Sequence, residues 1–102
     1  MQINKVLITN DDGYNSYGIN LLAEILKKYV REIYIVAPKN NMSGSSRSIS
    51  LKNEINFEQI NSSSWVIDGT PTDCVIFALN FIFKNNKPDY IFSGINAGTN
   101  IG

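Results

Sequence analysis

Three short runs of β-branched and apolar residues predict buried strands. The runs are Lys5 to Thr9, Glu32 to Ala37 and Asp89 to Ser93. None has the alternation of apolar and polar positions that marks a strand with one face in water. We therefore expect Lys5 to Thr9 to be covered on both faces, as in a parallel sheet, and Asp89 to Ser93 to be a further buried strand.

A first helix is predicted between the first two strands. Its apolar positions recur at i, i+1, i+4, i+5 and i+8, which places them on one stripe of an amphipathic helix that begins at Ser16 or Gly18. The stripe consists of Leu21, Leu22, Ile25, Leu26 and Tyr29. Together with the flanking strands, this helix predicts a β-α-β unit from Lys5 to Ala37.

A second helix is predicted from a strong start signal. Thr70 is suited to the N-cap, Pro71 to the first helical position and Asp73 to the third. Apolar residues follow at helical spacing, and the segment ends at Asn85-Asn86-Lys87-Pro88. The apolar positions are Val75, Ala78, Leu79, Ile82 and Phe83.

The segment between the second strand and the second helix has weaker patterns. Lys39 to Ser48 is rich in polar and small residues, which predicts a loop. Ile49 to Asp68 alternates weakly around Asn61-Ser62-Ser63-Ser64, which favours a β-hairpin excursion. The whole pattern predicts an α/β fold with parallel strands in a single domain, residues 1–102.

Composition narrows the class of partner. The 102 residues include nine Lys and Arg against nine Asp and Glu, and 43% are hydrophobic. This balance suits a soluble globular domain and disfavours nucleic acid or an anionic membrane as a partner, since either calls for a basic excess. No apolar run approaches the roughly 20 residues of a membrane span. The start also lacks a signal-peptide layout, so a cytoplasmic location is expected.

The chain has no histidine and one cysteine, Cys74. This excludes Ser-His-Asp and Cys-His catalysis within these residues and disfavours a zinc site of nitrogen and sulfur ligands. We interpret Cys74 as a packing residue in the first turn of the second helix. Any chemistry is expected to use oxygen ligands.

Polar residues follow each predicted strand. Right-handed crossovers place the carboxyl ends of parallel strands at one edge of a sheet, where open α/β sheets bind ligands. The loops that meet there offer Asn10-Asp11-Asp12, Ser43 to Arg47, and Asn96 with Asn100. This convergence is the main functional signal in the chain.

The adjacent carboxylates Asp11 and Asp12 repel each other, and a bound divalent cation relieves that repulsion. With the Ser43 hydroxyl and the Asn96 amide oxygen they form an all-oxygen ligand set, which selects Mg²⁺, Mn²⁺ or Ca²⁺. The alternative is that Asp11 and Asp12 only cap a turn, because Asp-Gly is a common turn pair.

Two segments have the composition of a phosphate site. Ser43-Gly44-Ser45-Ser46-Arg47 offers backbone N–H groups, hydroxyls and a guanidinium, although an ordinary surface loop explains it equally well. The alternating Gly and Asn residues from Gly94 to Asn100 permit close approach of the backbone to a ligand, and an irregular turn is the alternative. The phosphate-binding candidates are Asn10, Gly44, Ser45 and Asn100.

These residues lie in segments that resemble the SurE survival-protein family. Five blocks carry the resemblance, in the family's order. They are Val6 to Tyr14, Gly18-Ile19, Val36-Ala37-Pro38 with Ser43-Gly44, Gly69 to Val75, and Ser93 to Asn100.

The resemblance implies a Rossmann-like, three-layer αβα core and a metal-dependent 5′-nucleotidase. It implies one divalent cation, Mg²⁺ or Mn²⁺, on Asp11, Asp12, Ser43 and Asn96, with Asp11 and Asp12 as the catalytic residues. The implied substrates are nucleoside 5′-monophosphates, hydrolysed to nucleoside and phosphate. A homo-oligomer is implied for a full-length parent.

Family members extend well beyond the length of this chain, so we expect it to be an N-terminal portion with an incomplete pocket. One alternative is therefore a metal- or nucleotide-binding fragment without turnover. An aspartyl-nucleophile phosphatase or a transferase with a D-x-D pair is disfavoured. Asp11 and Asp12 have no residue between them, and neighbouring side chains on a strand point to opposite sides.

Overall fold

The computed structural model describes residues 3–39 and 56–95. The elements alternate between strands and helices over most of this length. They are β1 (Ile3–Thr9), α1 (Tyr17–Leu26), β2 (Val30–Pro38), β3 (Phe57–Asn61), β4 (Ser64–Ile67), α2 (Pro71–Phe77) with a π-helical extension (Ala78–Ile82), and β5 (Tyr90–Ser93).

The described strands form one sheet in the order β3-β4-β2-β1-β5. β1 pairs in parallel with both β2 and β5, and β2 pairs in parallel with β4. β3 is antiparallel to β4. The predicted α/β class, the β-α-β unit and the parallel strands are therefore confirmed.

Alternate residues of β1 pack into different cores on the two faces of the sheet. Leu7 joins a cluster with Cys74 and Phe77 of α2, whereas Val6 and Ile8 join a cluster with Ile19 of α1. Because one helix covers each face, the sheet is the middle of three layers, as predicted. No helix in the described ranges is long and apolar enough to cross a membrane.

The predicted apolar stripe of α1 is wrong in part. Ser16 is the N-cap, as one of the two predicted starts, but Ile19 is the buried residue of this helix. Leu22 and Leu26 are partly buried and pack against the same core cluster as Ile19, whereas Leu21, Ile25 and Tyr29 are exposed. Packing one face of α1 on the sheet leaves the adjacent apolar positions in water.

The predicted start of α2 is confirmed in detail. The Thr70 hydroxyl accepts a hydrogen bond from the Asp73 N–H at 3.1 Å, and the Asp73 carboxylate accepts one from the Thr70 N–H at 2.9 Å. This reciprocal capping box occupies two N–H groups of the helix start. The π-helical turn at Ala78–Ile82 was not predicted.

The last predicted strand exists, but the expectation that it is buried is wrong. β5 lies at the end of the strand order, and Tyr90 and Ile91 are 56% and 45% exposed. Within the described residues β5 pairs only with β1, and an apolar sequence cannot distinguish an edge strand from a central one.

The predicted excursion between β2 and α2 is confirmed for its second half. β3 and β4 form an antiparallel hairpin, and β4 also extends the parallel sheet beside β2. The predicted loop Lys39 to Ser48, apart from Lys39, and the segment from Ile49 to Ile55 lie outside the described residues.

Replacement of Leu7 by alanine tests the α2 side of the core. Leu7 is fully buried, so Leu7→Ala should lower the free energy of unfolding by about 2–5 kcal/mol through lost burial and the cavity left behind. Urea unfolding of the chain measures this loss. Ile25→Ala is the control, because Ile25 is 47% exposed and should change stability by no more than about 0.5 kcal/mol. Equal effects of the two substitutions would contradict this core.

Candidate functional site

Backbone hydrogen bonds join the carboxyl ends of the strands at one edge of the sheet. The N–H of Gly94, just after β5, donates to the Thr9 carbonyl at the end of β1, at 2.9 Å. The N–H of Tyr14 donates to the Pro38 carbonyl at the end of β2, at 3.0 Å. The segments that follow β1, β2 and β5 therefore leave the sheet at the same edge, as the parallel order requires.

The acidic pair lies at this edge. Asp11 and Asp12 directly follow β1 and are half-buried. The described part of the chain reaches Lys39 on the way to Ser43, and it reaches Ile95, the residue before Asn96. The predicted site residues that lie outside the described residues are Ser43, Gly44, Ser45, Asn96 and Asn100. Their participation stays a prediction.

Asn10 has a structural role that the sequence patterns did not reveal. Its side chain is fully buried, and its amide nitrogen donates to the Gly13 carbonyl at 3.0 Å and to the Ser16 hydroxyl at 2.8 Å. Its amide oxygen accepts from the Gly13 N–H at 3.1 Å. Asn10 thus closes the loop that contains Asp11 and Asp12. Its predicted contact with phosphate stays a prediction.

Ser16 connects this loop to α1. Its hydroxyl accepts from the Asn10 amide and also from the Ile19 N–H at 3.4 Å, as the N-cap of the helix. We call the hydrogen-bonded group of Asn10, Gly13 and Ser16 the loop clamp. Asparagine and serine often form such local bonds to the backbone. The position of Asn10, three residues before Gly13, could therefore have predicted its structural role in this loop.

Gly13 adopts a conformation that other residues rarely reach. Its φ is 104°, outside the regions open to residues with a side chain. This turn allows Asn10 to bond both the N–H and the carbonyl of Gly13. The chain bends at Asp11 and Asp12, and the side chain that closes this bend through Gly13 is that of Asn10. The bend is compatible with a ligand site at the same residues.

The described residues supply part of the oxygen ligand set that a hard divalent cation needs. Two adjacent carboxylates at a half-buried strand end supply oxygen ligands, which Mg²⁺ and Mn²⁺ prefer. No cluster of three or more His, Cys, Asp and Glu side chains exists in residues 3–39 and 56–95. The prediction adds the neutral oxygens of Ser43 and Asn96, which lie outside the described residues.

Gly18 brings the segment after β5 against α1. A Cβ atom at this position would collide with the carbonyl oxygen and carbon of Ile95. Only glycine leaves room for that backbone. The contact fixes where the chain lies immediately before Asn96, and it explains why a glycine occurs in the first turn of α1.

A Gly18→Ala substitution tests this contact. Alanine normally stabilises a helix relative to glycine by about 1 kcal/mol. Here the collision with Ile95 should reverse the sign and lower the free energy of unfolding by about 1–3 kcal/mol, as overpacking does. Urea unfolding measures the change. Glu24→Ala, on the exposed side of α1, is the control and should alter stability by less than about 0.5 kcal/mol. A more stable Gly18→Ala chain would contradict the contact.

Cys74 is a packing residue, as predicted. It is fully buried in the α2-side core, and burial raises the pKa of its thiol from the ordinary 9.0 to about 12. A hydrogen bond with the neighbouring Thr9 hydroxyl would lower this pKa. The Thr9 oxygen, however, has no partner of normal hydrogen-bond geometry among the described residues. We therefore regard burial as the dominant effect, which keeps the thiol protonated and unreactive at neutral pH.

The raised pKa of Cys74 predicts a pH dependence of stability. An unfolded thiol ionises near pH 9, whereas the native thiol stays protonated until about pH 12. The stabilisation is fully present below pH 9 and decreases as the pH rises toward 12. Comparing urea unfolding of the chain with that of Cys74→Ala between pH 8 and 10.5 isolates this group from the tyrosines. The stability difference between the two should shrink as the pH rises, and a constant difference would contradict the assignment.

Comparison with known proteins identifies the family to which the sequence is similar. The family model described as "Survival protein SurE" matches residues 6–102. The chain is 48% identical to the 5′-nucleotidase SurE of Wolbachia sp. subsp. Drosophila simulans over 95% of its length, and 48% identical to that of Campylobacter lari over 96%. It spans 39% of the length of each relative.

A solved structure shows the same fold. The crystal structure of the SurE protein from Aquifex aeolicus is 41% identical and superposes with a TM-score of 0.87, covering 96% of this chain and 40% of that one. The family model and the sequence relatives cover nearly the whole chain, and the described sheet has the fold of this crystal structure. The chain belongs to the SurE survival-protein family.

Proposed function

We propose that this chain carries the metal-binding part of a divalent-metal-dependent 5′-nucleotidase. The observation that carries the proposal is the position of Asp11 and Asp12 at the edge where β1, β2 and β5 end together. The names of the relatives add the substrate class, since they are called 5′-nucleotidases. The substrates proposed are nucleoside 5′-monophosphates.

In this proposal Asp11 and Asp12 hold one Mg²⁺ or Mn²⁺ through carboxylate oxygens, with Ser43 and Asn96 completing the protein ligands. When bound, such a cation polarises phosphoryl oxygens and lowers the pKa of a bound water. A carboxylate oxygen of one aspartate also accepts a proton from the attacking water. The residues proposed to bind the phosphate group are Asn10, Gly44, Ser45 and Asn100.

The arrangement of the strand ends supports a proposal of phosphoryl transfer. That reaction depends on positioning and on charge stabilisation, with little covalent chemistry by side chains. The absence of histidine in the chain is compatible with this chemistry, because a metal and oxygen ligands suffice. Parallel strands hold the ends of three loops in a fixed arrangement.

A fragment that binds a metal without turnover is the second candidate function. The chain spans 39% of the length of the named relatives, so a large part of their fold has no counterpart in it. Ligands held by the three loops could bind a cation even where the rest of a pocket is missing. Metal binding and catalysis are therefore measured separately.

Neutralising the acidic pair tests the proposed function. Asp11→Asn or Asp12→Asn should abolish Mn²⁺-dependent phosphate release from AMP in the full-length parent, because each removes a charged ligand. In the 102-residue chain the same substitutions should weaken Mn²⁺ binding by at least about tenfold, measured as the loss of the free-Mn²⁺ signal in electron paramagnetic resonance.

Asp89→Asn is the matched control, because it changes the same functional group at the opposite end of β1. There the Asp89 carboxylate accepts from the N–H groups of Asn4 and Lys5, and the amide introduced by the substitution would retain an acceptor oxygen. Retained phosphate release in Asp11→Asn would count decisively against the nucleotidase. Mn²⁺ binding by the chain without phosphate release would instead support the second candidate.

A further inference from the structure

The acidic pair is enclosed by hydrogen bonds that come from residues outside it. Asn10 precedes the pair, Gly13 follows it, and Ser16 connects both to α1. In the loop clamp every polar atom of the Asn10 side chain has a protein partner, at distances between 2.8 and 3.1 Å. The side chain of Asn10 is thus fully hydrogen-bonded next to two residues of like charge.

We propose that Asn10 and Ser16 are positioning residues for the divalent cation. They act through the acidic loop and hold Asp11 and Asp12 in a ligand-ready conformation before any cation arrives. The inference rests on the proposed function and deepens it, because it assigns roles to two residues outside the predicted metal ligands.

Electrostatics explains why the loop needs such support. Two neighbouring carboxylates repel each other, and a flexible loop would relieve that repulsion by moving them apart. The loop clamp opposes this movement from both sides, since Asn10 is fully buried and bonded to Gly13 on the far side of the pair. A cation then binds without first having to order the loop.

The loop clamp is itself held at two further points. The Ser16 hydroxyl caps α1 through the Ile19 N–H, so the loop is attached to a ten-residue helix. The Tyr14 N–H donates to the Pro38 carbonyl at the end of β2. Movement of the loop therefore requires breaking contacts to β2 and to α1. Groups that orient metal ligands in this way typically change metal affinity about 10- to 100-fold when they are removed.

Ser16→Ala is the main test, because it removes the acceptor for the Asn10 amide without touching a predicted ligand. In the 102-residue chain it should weaken Mn²⁺ binding by about 10- to 100-fold, measured by electron paramagnetic resonance. In the metal-free chain it should also speed hydrogen exchange at the Gly13 and Tyr14 N–H groups, followed by nuclear magnetic resonance. Ser16→Thr keeps a hydroxyl and should return the Mn²⁺ affinity to within about threefold of the original chain.

Thr70→Ala is the matched control, since it removes the hydroxyl N-cap of the other helix. It should lower stability to a similar degree and leave both the Mn²⁺ affinity and the Gly13 exchange unchanged. Asn10→Ala provides a second variant, and urea unfolding of each variant confirms that it folds. Should Asn10→Ala not fold, Ser16→Ala decides the outcome alone.

The outcomes separate the inference from the proposed function. Weaker binding and faster exchange in Ser16→Ala, with rescue by Ser16→Thr, would support the positioning role. Equal Mn²⁺ affinity in Ser16→Ala and the original chain would overturn the positioning role and leave the proposed function intact. A general loss of affinity that Thr70→Ala shares would also overturn it. If the original chain binds no Mn²⁺, the proposed function fails and the positioning role fails with it.

Discussion

Parallel pairing of β1 with a strand on each side is the constraint on which the rest of this structure depends. Because β2 and β5 both run in the direction of β1, the chain leaves all three strands at the same edge of the sheet. The bonds from Gly94 to Thr9 and from Tyr14 to Pro38 then fix the first residues of the outgoing segments. An antiparallel neighbour would have sent one of these segments to the opposite edge, away from Asp11 and Asp12.

The helices on the two faces of the sheet make different contacts near the carboxyl ends of the strands. On one face, α1 contributes Ser16 as its N-cap and Gly18, and these contact the loop after β1 and the segment after β5. On the other face, α2 contributes Cys74 to the packing beneath Thr9, the last residue of β1. The acidic loop is thus hydrogen-bonded to the start of α1, whereas α2 packs an apolar core against β1 itself. The end of β1 is held by both.

Local sequence signals located most elements correctly, and the errors have a common origin. The Thr70-Pro71-Asp73 start of α2 was predictable because its hydrogen bonds are all within one turn of chain. The exposed positions of Leu21, Ile25 and Ile91 were not, because burial depends on which neighbour covers a face. The predicted contact of Asn10 with phosphate stays a prediction. Its bonds to Gly13 and Ser16 were not predicted, because they emerge only from the geometry of the loop.

The sequence alone determined the kinds of atoms available for chemistry. Without histidine, and with Cys74 as its one thiol, the chain could offer only oxygen ligands to a cation. It also determined the order of strands and helices, since apolar spacing and helix caps act over a few residues. Tertiary structure decided that the loop of Asp11 and Asp12 is closed by a buried amide and attached to α1 and β2. Those contacts join segments that are separate in the chain, and only folding brings them within hydrogen-bond distance.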